Sequence, residues 1–325
     1  MSLLRNRPSS SAPLSLAAAQ EARERTLELI REVRRIEIQT SRLVDQHLAG
    51  SYQSAFKGQG VAFAEVRAYE PGDDVRTIDW NVTARTGIPH IKLFSEEREL
   101  TVMLLVDMSA SLDLGSRDTD KRRLVARLAA TFAFSAIRNN DSVGLIGFTD
   151  RVEVFMPPRS GRKHVLAVVQ KVLSHAAESR GTDAAQALEY MARIGRRNAV
   201  VILISDFLDV IPQEEDSRFE RALKLVRRRN DVIPVRVEDP LELEMPALGL
   251  VAVEDLELLD RGGDRFVDLS RGRARLFSEQ VARERSWFET IVRRLRLETL
   301  TVRCGRSWQQ PMLRFFSQRA RRMRR

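Results

Sequence analysis

The sequence contains a single cysteine, Cys304, and only four histidines among its 325 residues. One cysteine excludes an intrachain disulfide and is typical of a reducing compartment, so we expect a cytoplasmic protein. The four histidines, His47, His90, His164 and His175, lack the spacing of zinc ligands. We therefore expect no zinc site.

The chain also lacks long apolar runs. No stretch reaches the roughly 18 consecutive apolar residues that a membrane-spanning helix needs, so no membrane span is expected. Leu14 to Ala19 is too short for the apolar part of a signal peptide, and Glu21 interrupts it. No Walker-type glycine loop occurs, so the chain is not expected to hydrolyse ATP.

The net charge of +9 comes largely from arginine, and much of the excess lies at the C-terminus, in Arg319, Arg321, Arg322, Arg324 and Arg325. A basic tail can bind nucleic acid, anionic lipid or an acidic protein. No aromatic residues interleave the final arginines, and no known nucleic-acid module accompanies them. Specific nucleic-acid binding is therefore not expected, although it stays open as an alternative function.

Composition and periodicity divide the chain into five segments. Residues 1–14 are predicted to be a disordered leader, and residues 15–48 an amphipathic helical segment. Residues 50–98 are punctuated by glycine and proline and predict a small β-rich subdomain. In residues 99–260 strands alternate with helices, which predicts an α/β fold with a doubly wound, mostly parallel sheet flanked by helices. Residues 261–325 are predicted to be a C-terminal strand and helix extension with a basic tail.

One edge of this sheet is expected to be antiparallel. The predicted strands Val143–Phe148 and Val152–Met156 are joined by a short turn, which is typical of a hairpin. Pro157 and Pro158 follow directly, and we expect them to end the second strand.

The run Leu100–Val106 predicts a central strand that is buried on both faces. Asp107, Ser109 and Ser111 follow at alternate positions, so their side chains point the same way in extended backbone. Open α/β sheets bind their ligands at this edge, and carboxylate and hydroxyl oxygens suit a hard cation such as Mg²⁺. A serine-rich turn that caps the next helix is the alternative interpretation.

Two further loops complete the candidate site. Asp206 follows the apolar run Ala199–Ile204, and Thr182 opens a helix after Gly181. If the two apolar strands are neighbours, five groups meet at the carboxyl edge of the sheet: Asp107, Ser109, Ser111, Thr182 and Asp206. We expect these five to bind Mg²⁺ or Mn²⁺. Only two of them are anionic, so the cation would accept an external carboxylate.

This set of residues, an Asp-x-Ser-x-Ser motif, a later threonine and a strand-terminal aspartate, resembles the metal-ion-dependent adhesion site of von Willebrand factor A domains. The resemblance implies a doubly wound domain whose metal binds a Glu or Asp side chain of a partner protein. It implies no covalent chemistry, so the chain is not expected to be an enzyme.

The segment before the site carries a dense pattern of arginine, aspartate and turn residues: Arg67, Tyr69, Pro71, Gly72, Asp73, Asp74, Arg76, Asp79, Trp80 and Arg85. Together with the later Phe315-Phe316 and Arg319, it resembles the signature of bacterial domain-of-unknown-function family number 58, over roughly residues 50 to 320. Members carry this signature ahead of a von Willebrand factor A-like domain. The resemblance implies a chaperone-like partnership with an AAA+ ATPase of the MoxR type.

The residues of this signature leave two interpretations open. The arginines Arg67, Arg76 and Arg85 can pair with Asp73, Asp74 and Asp79 in an ion-pair network that braces the subdomain. The alternative is a surface that recognises a partner protein.

An enzymatic function also stays open. Asp107 with Mg²⁺ is the type of nucleophile that phosphohydrolases related to haloacid dehalogenases use. That chemistry needs a second carboxylate two residues later as general acid, and Ser109 stands there.

Overall fold

The computed structural model of the protein describes residues 16–56, 66–73, 75, 78, 80–92, 99–113, 121–179, 181–208, 217–240, 249–253, 265–269 and 271–323. The leader predicted at residues 1–14 lies outside these ranges, as do the signature residues Asp74, Arg76 and Asp79. Within the described ranges, none of the helices has the length and apolar character to cross a membrane.

The strands and helices alternate along most of the chain. In chain order the strands are β1 (Val66–Ala68), β2 (His90–Lys92), β3 (Thr101–Asp107), β4 (Ser142–Phe148), β5 (Val152–Arg159), β6 (Ala199–Ser205), β7 (Asp231–Glu238), β8 (Gly249–Val253), β9 (Arg265–Leu269) and β10 (Leu300–Arg303). The helices are α1 (Leu16–Leu43), α2 (Ala49–Phe56), α3 (Trp80–Thr86), α4 (Lys121–Arg138), α5 (Arg162–Ser174), α6 (Ala184–Ile194), α7 (Arg218–Arg227), α8 (Arg271–Arg294) and α9 (Gln309–Met323). A π-helical turn, Val44–Leu48, joins α1 to α2.

The main sheet has the strand order β10-β7-β6-β3-β4-β5, and β5 alone runs antiparallel to its neighbour. This confirms the predicted α/β fold with a doubly wound, mostly parallel sheet. The two central strands, β3 and β6, are buried along their whole length, as their unbroken apolar sequences require.

Side chains of β3 alternate between two cores. Val102, Leu104 and Val106 face a layer that contains α1, α2, α4, α5 and α9. Met103 and Leu105 face the opposite layer, built from α6, α7 and α8. Because a strand turns successive side chains to opposite faces, one apolar run supports both helical layers.

The N-terminal helical segment belongs to the first of these cores. Ile36, Leu48 and Tyr52 are buried in it, and the Tyr52 hydroxyl donates a hydrogen bond of 3.0 Å to Asp141 Oδ2. Helix continues through Ala49–Phe56, where we predicted the β-rich subdomain to begin. The physical reason is tertiary packing, because Tyr52 and Phe56 contact Phe316 of α9 and this contact outweighs the low helix propensity of glycine.

The described part of residues 66–92 contains less β-structure than expected. The short strands β1 and β2 pair antiparallel, but the segment between them includes helix α3, which begins at Trp80. The short spacing of apolar residues in this segment does not distinguish a two-turn helix from a strand.

Strand β5 continues through Pro157 and Pro158 to Arg159, so the prediction that these prolines end the strand is wrong. β5 is the last strand in the order of the sheet. Proline has no backbone N–H to donate to a neighbouring strand. On an edge strand this position can face away from the sheet, where no hydrogen bond is lost, whereas a central strand has a neighbour on both sides.

The C-terminal residues complete the main sheet, although we predicted them to be an extension of it. β10 pairs parallel with β7, with Leu300 aligned to Val235. Arg319 of α9 is buried, and its guanidinium donates to Ala55 O, to Glu298 and to Asp231. The last helix is thereby fixed to both the N-terminal helices and the sheet.

Candidate metal-binding site

The candidate site lies where the course of the chain reverses across the sheet. β3 and β6 are parallel neighbours, with Val106 aligned to Ile204, so Asp107 and Asp206 leave the sheet at the same edge. The connection after β3 runs through α4 in one layer, whereas β6 is reached through α6 in the other. In open α/β sheets this switch point at the carboxyl ends is where ligands bind.

Asp107 is the last residue of β3 and has no exposed surface. Its Oδ1 accepts a hydrogen bond of 2.9 Å from the Ser109 amide, and its Oδ2 accepts one of 2.8 Å from the Ser205 hydroxyl. Burial, together with the negative charge of Asp206, raises the pKa of Asp107 to about 6, and these hydrogen bonds oppose the shift. A positive charge placed beside the two carboxylates would relieve their repulsion.

Three predicted ligands form a continuous chain of contacts. The hydroxyls of Ser109 and Ser111 lie 2.9 Å apart, and the Ser111 hydroxyl lies 3.4 Å from Asp206 Oδ2. Asp206 Oδ1 accepts a hydrogen bond from the Leu208 amide. Four of the five predicted residues, Asp107, Ser109, Ser111 and Asp206, therefore come together.

Thr182 lies on a loop close to the same edge, but its hydroxyl is not part of this chain. Asp183 N donates a hydrogen bond of 2.8 Å to Thr149 O, which places the loop beside the end of β4, the neighbour of β3. Among the described residues, no hydrogen bond joins the Thr182 side chain to the other four predicted ligands.

A buried carboxylate on β5 fixes the loop that leads to Thr182. Glu153 Oε1 and Oε2 contact the Thr149 hydroxyl at 2.7 Å and His175 Nε2 at 2.6 Å, and they accept hydrogen bonds from the amides of Glu178 and Ser179. Burial opposes ionisation of Glu153, but these donors outweigh it and lower its pKa to about 2. Glu153 is thus a positioning residue that the sequence analysis missed.

Lys121 was also missed, and it lies inside the site. Its side chain is fully buried and its Nζ lies 2.6 Å from Asp206 Oδ2. A signal for it exists in the sequence, because α4 begins with Lys121-Arg122-Arg123, and positive charge at a helix N-terminus opposes the helix dipole. A helix that begins with positive charge is stabilised by an anion near its N-terminus, but only the fold shows which residue supplies that anion.

Ser205 is the third residue that sequence reasoning left out. Its hydroxyl donates to Asp107 and accepts a hydrogen bond of 3.1 Å from the Phe207 amide. Phe207 has a left-handed φ of 58° and its ring stacks on Phe288 of α8 at 4.3 Å. The loop that carries Asp206 is therefore held at a backbone conformation that bulky residues rarely adopt.

The signature residues lie in the separate β1–β2 region. Arg67 forms a bidentate ion pair with Asp73, with N–O distances of 2.7 and 2.8 Å. Gly72 has a φ of 115°, which favours glycine in the turn. Pro71 is exposed in the same turn, and the Tyr69 amide donates a hydrogen bond to Pro89 O. In helix α3, Arg85 is exposed and the Trp80 side chain is 70% exposed. The observed ion pair braces the turn, and the exposed tryptophan leaves an apolar ring at the surface.

The donors at the switch point fit a hard divalent cation. They are two carboxylates and two hydroxyls, which are the ligand types that Mg²⁺ and Mn²⁺ prefer. Among the described residues, Lys121 places one positive charge against these two carboxylates. Within the described ranges, no group of three or more His, Cys, Asp or Glu side chains is arranged to hold a metal.

Sequence comparison places residues 65–286 under the family model "Protein of unknown function DUF58". Uncharacterized proteins of Mycobacterium tuberculosis (Rv1480) and Mycobacterium bovis (Mb1516) are similar to this chain. Each is 31% identical over 291 residues, which cover 89% of this chain and 89% of the relative.

Solved structures that are similar to parts of this chain include the conserved hypothetical protein BatB from Bacteroides thetaiotaomicron. It is 18% identical, with a TM-score of 0.40, and the match covers 68% of this chain and 99% of that chain. A von Willebrand factor type A structure from Catenulispora acidiphila is 16% identical, with a TM-score of 0.33 and coverage of 57% and 44%. Proximal thread matrix protein 1 from the mussel byssus, described with a zinc-occupied MIDAS motif, is 14% identical, with a TM-score of 0.33 and coverage of 43% and 38%.

Proposed function

This chain belongs to the family of proteins of unknown function DUF58, and from that premise we propose that it is a non-enzymatic, metal-dependent protein-interaction module. In this proposal a divalent cation at the switch point of the sheet binds an acidic side chain of a partner protein. The module contributes affinity and specificity, and it makes or breaks no covalent bond.

The observation that carries the proposal is the convergence of two buried carboxylates through two hydroxyls. Asp107 and Asp206 come from neighbouring strands, and Ser109 and Ser111 join them. Buried like charges destabilise a fold unless a cation compensates them. The raised pKa of Asp107 supports a site that gains stability when a cation is added.

Asp107, Ser109, Ser111 and Asp206 would hold the metal, with Thr182 as a fifth ligand. The cation is Mg²⁺ or Mn²⁺, and it supplies a Lewis-acidic position for a carboxylate. Because few carboxylates of the chain bind the metal directly, this position stays strongly electrophilic and favours an external Glu or Asp side chain. Glu153 supports the assignment of Thr182, because it anchors the preceding residues Glu178 and Ser179 next to β4.

The geometry favours docking over phosphoryl transfer. A phosphoryl group is much larger than a metal ion and must approach a nucleophilic oxygen in line, whereas the Asp107 carboxylate has no exposed surface and both of its oxygens accept hydrogen bonds. The general acid of a phosphohydrolase is also absent from its expected position, which Ser109 occupies.

The partner class that the family resemblance implies is a MoxR-type AAA+ ATPase, acting with this module in chaperone-like assembly or maturation. The exposed Trp80 beside the braced Arg67–Asp73 turn supports a second contact surface, because exposed aromatic rings are enriched where proteins bind one another. The single buried Cys304 supports a place in the reducing cytoplasm.

The test measures metal binding and partner binding on the same protein. We expect the purified chain to bind Mn²⁺ in isothermal titration calorimetry. We also expect it to retain a co-expressed MoxR-type ATPase in a pull-down that EDTA abolishes. Asp107→Ala and Ser111→Ala should each lose both properties, because each removes an oxygen donor.

The matched control is Ser142→Ala, since Ser142 lies at the opposite, amino-terminal edge of the sheet in β4. It should keep both properties. Equal Mn²⁺ binding by Asp107→Ala and the unchanged protein would refute the metal site. Retention of the ATPase in EDTA would refute metal-dependent docking.

A further inference from the structure

The side chain of Lys121 places a positive charge inside the candidate site. It is the first residue of α4, its side chain has no exposed surface, and its ammonium lies 2.6 Å from Asp206 Oδ2. A buried ammonium is stable only when it is paired, and Asp206 is one ion-pair partner of Lys121 among the described residues. The pair is therefore a built feature of the fold.

The ammonium uses the oxygen that a metal would also need. Asp206 Oδ1 accepts the Leu208 amide at 3.2 Å, which leaves Oδ2 facing the serine hydroxyls. Lys121 lies against this same Oδ2. A divalent cation bound between Asp107 and Asp206 would meet the ammonium at close range in a buried environment, where repulsion between cations is strong.

The position of Lys121 is tied to that of its helix. Arg122, the next residue, is buried and donates a hydrogen bond of 2.6 Å to His175 O. The first turn of α4 is thus anchored to the segment that leads toward Thr182.

We propose that Lys121 is an internal competitor for the metal. It holds Asp206 when no divalent ion is bound, and it must leave Asp206 when the ion binds. Asp206 then binds either the Lys121 ammonium or the divalent metal ion. The strength of the Lys121–Asp206 ion pair therefore sets the metal concentration that binding requires. This inference rests on the proposed metal site and assigns its regulation.

The experiment compares Mn²⁺ affinity in the full chain with and without the ammonium. Lys121→Met keeps the length of the side chain without its charge, and we expect it to bind Mn²⁺ at least about tenfold more tightly. Lys121→Arg keeps the charge and should resemble the unchanged protein. Lys171→Met, at an exposed position on α5, is the matched control and should have no effect.

Thermal unfolding gives a second measurement that needs no partner. In EDTA, Lys121→Met should melt at a lower temperature than the unchanged protein, because two buried carboxylates lose their internal cation. Saturating Mn²⁺ should raise its melting temperature by more than that of the unchanged protein. Should Lys121→Met not fold, Lys121→Gln carries the same comparison, since it keeps a hydrogen-bond donor to Asp206.

The outcomes separate the two proposals. Equal Mn²⁺ affinity in the unchanged protein, Lys121→Met and Lys121→Gln would overturn the competition and leave the metal site standing. No Mn²⁺ binding at millimolar concentration in any of these proteins would overturn both. A double-mutant comparison supports competition if Asp206→Asn lowers affinity more strongly beside Lys121→Met than on its own.

Discussion

At the scale of single residues, the candidate site depends on hydroxyl groups that hold carboxylates in place. Ser205 donates to Asp107 Oδ2 at 2.8 Å and belongs to β6, whereas Asp107 belongs to β3. This hydrogen bond therefore joins the two strands whose ends form the site. Groups that orient a metal ligand in this way affect metal affinity almost as strongly as the ligands do.

We therefore expect Ser205→Ala to weaken Mn²⁺ binding by about tenfold. It should also lower the free energy of unfolding by about 1–2 kcal/mol, because a buried carboxylate loses a donor. Calorimetric titration and urea unfolding measure the two effects. Ser142→Ala, at the far edge of β4, should alter only stability, and a matching loss of Mn²⁺ affinity there would contradict the assigned role of Ser205.

The sequence predicted the acidic and hydroxyl residues of the site but not their supports. Asp107, Ser109 and Ser111 share one strand end, so their common direction follows from the alternation of a strand. Lys121 and Ser205 act through tertiary contacts with residues 85 and 98 positions away in the chain. No local pattern encodes such pairings, and they become visible only once β3 and β6 are known to be adjacent.

At the scale of elements, a network around Glu153 holds the loop between α5 and α6 against the β4–β5 turn. The buried carboxylate is ionised over most of the pH range, because its donors lower its pKa to about 2. A carboxylate with a pKa below its unfolded value of 4.5 stabilises the fold above that pH. The stabilisation is lost as the pH falls from about 4.5 towards 2.

Glu153→Gln should therefore lower the free energy of unfolding by about 1–3 kcal/mol at pH 7. The difference from the unchanged protein should shrink below about pH 4.5, because the Glu153 carboxylate of the unfolded chain takes up a proton there, whereas the native carboxylate stays ionised until about pH 2. Hydrogen exchange of the amides at 176–183 should accelerate in the variant, since these residues lose their anchor. Glu178→Gln, an exposed change in the same loop, should show neither effect, and a constant difference from pH 7 to pH 2 would contradict the role of Glu153.

The elements that could be predicted from sequence are those with long, consistent patterns. The apolar runs of β3 and β6 and the helices between them follow from periodicity, whereas the helix at Ala49–Phe56 depends on contacts with Phe316 at the other end of the chain. The continuation of β5 through Pro157 and Pro158 depends on its place at the edge of the sheet. The secondary structure of these two segments is therefore determined by their position in the fold and not by their local propensity.

At the scale of the whole molecule, Arg319 joins the two ends of the chain. Its guanidinium contacts Ala55 O in α2, Glu298 before β10 and Asp231 at the start of β7, and it lies 4.9 Å from the centre of the Phe56 ring. We predicted Arg319 to be part of a basic C-terminal tail. This is wrong for Arg319, because only 5% of its side chain is exposed.

We expect Arg319→Met to lower the free energy of unfolding by about 3–5 kcal/mol, because Asp231 loses this guanidinium and Glu298 keeps only the exposed Arg322. Arg322→Met is the matched control. Arg322 also pairs with Glu298, but its side chain is 72% exposed, so its loss should cost about 1 kcal/mol or less. Urea unfolding measures both, and similar losses from the two variants would contradict the anchoring role. A truncation that tests nucleic-acid binding should accordingly begin after Arg319.

Helix α4 has a consequence for communication across the molecule. Its 18 residues extend about 27 Å, from Lys121 at the candidate site to Arg138, which pairs with Asp45 in the N-terminal helical segment. Along the way, Arg127 lies 3.9 Å from Glu32 of α1. If α4 shifts when Lys121 leaves Asp206, the helix would carry that shift to the opposite edge of the sheet. By the reciprocity of linked equilibria, a protein that grips α1 would then adjust the ion affinity of a site it never touches.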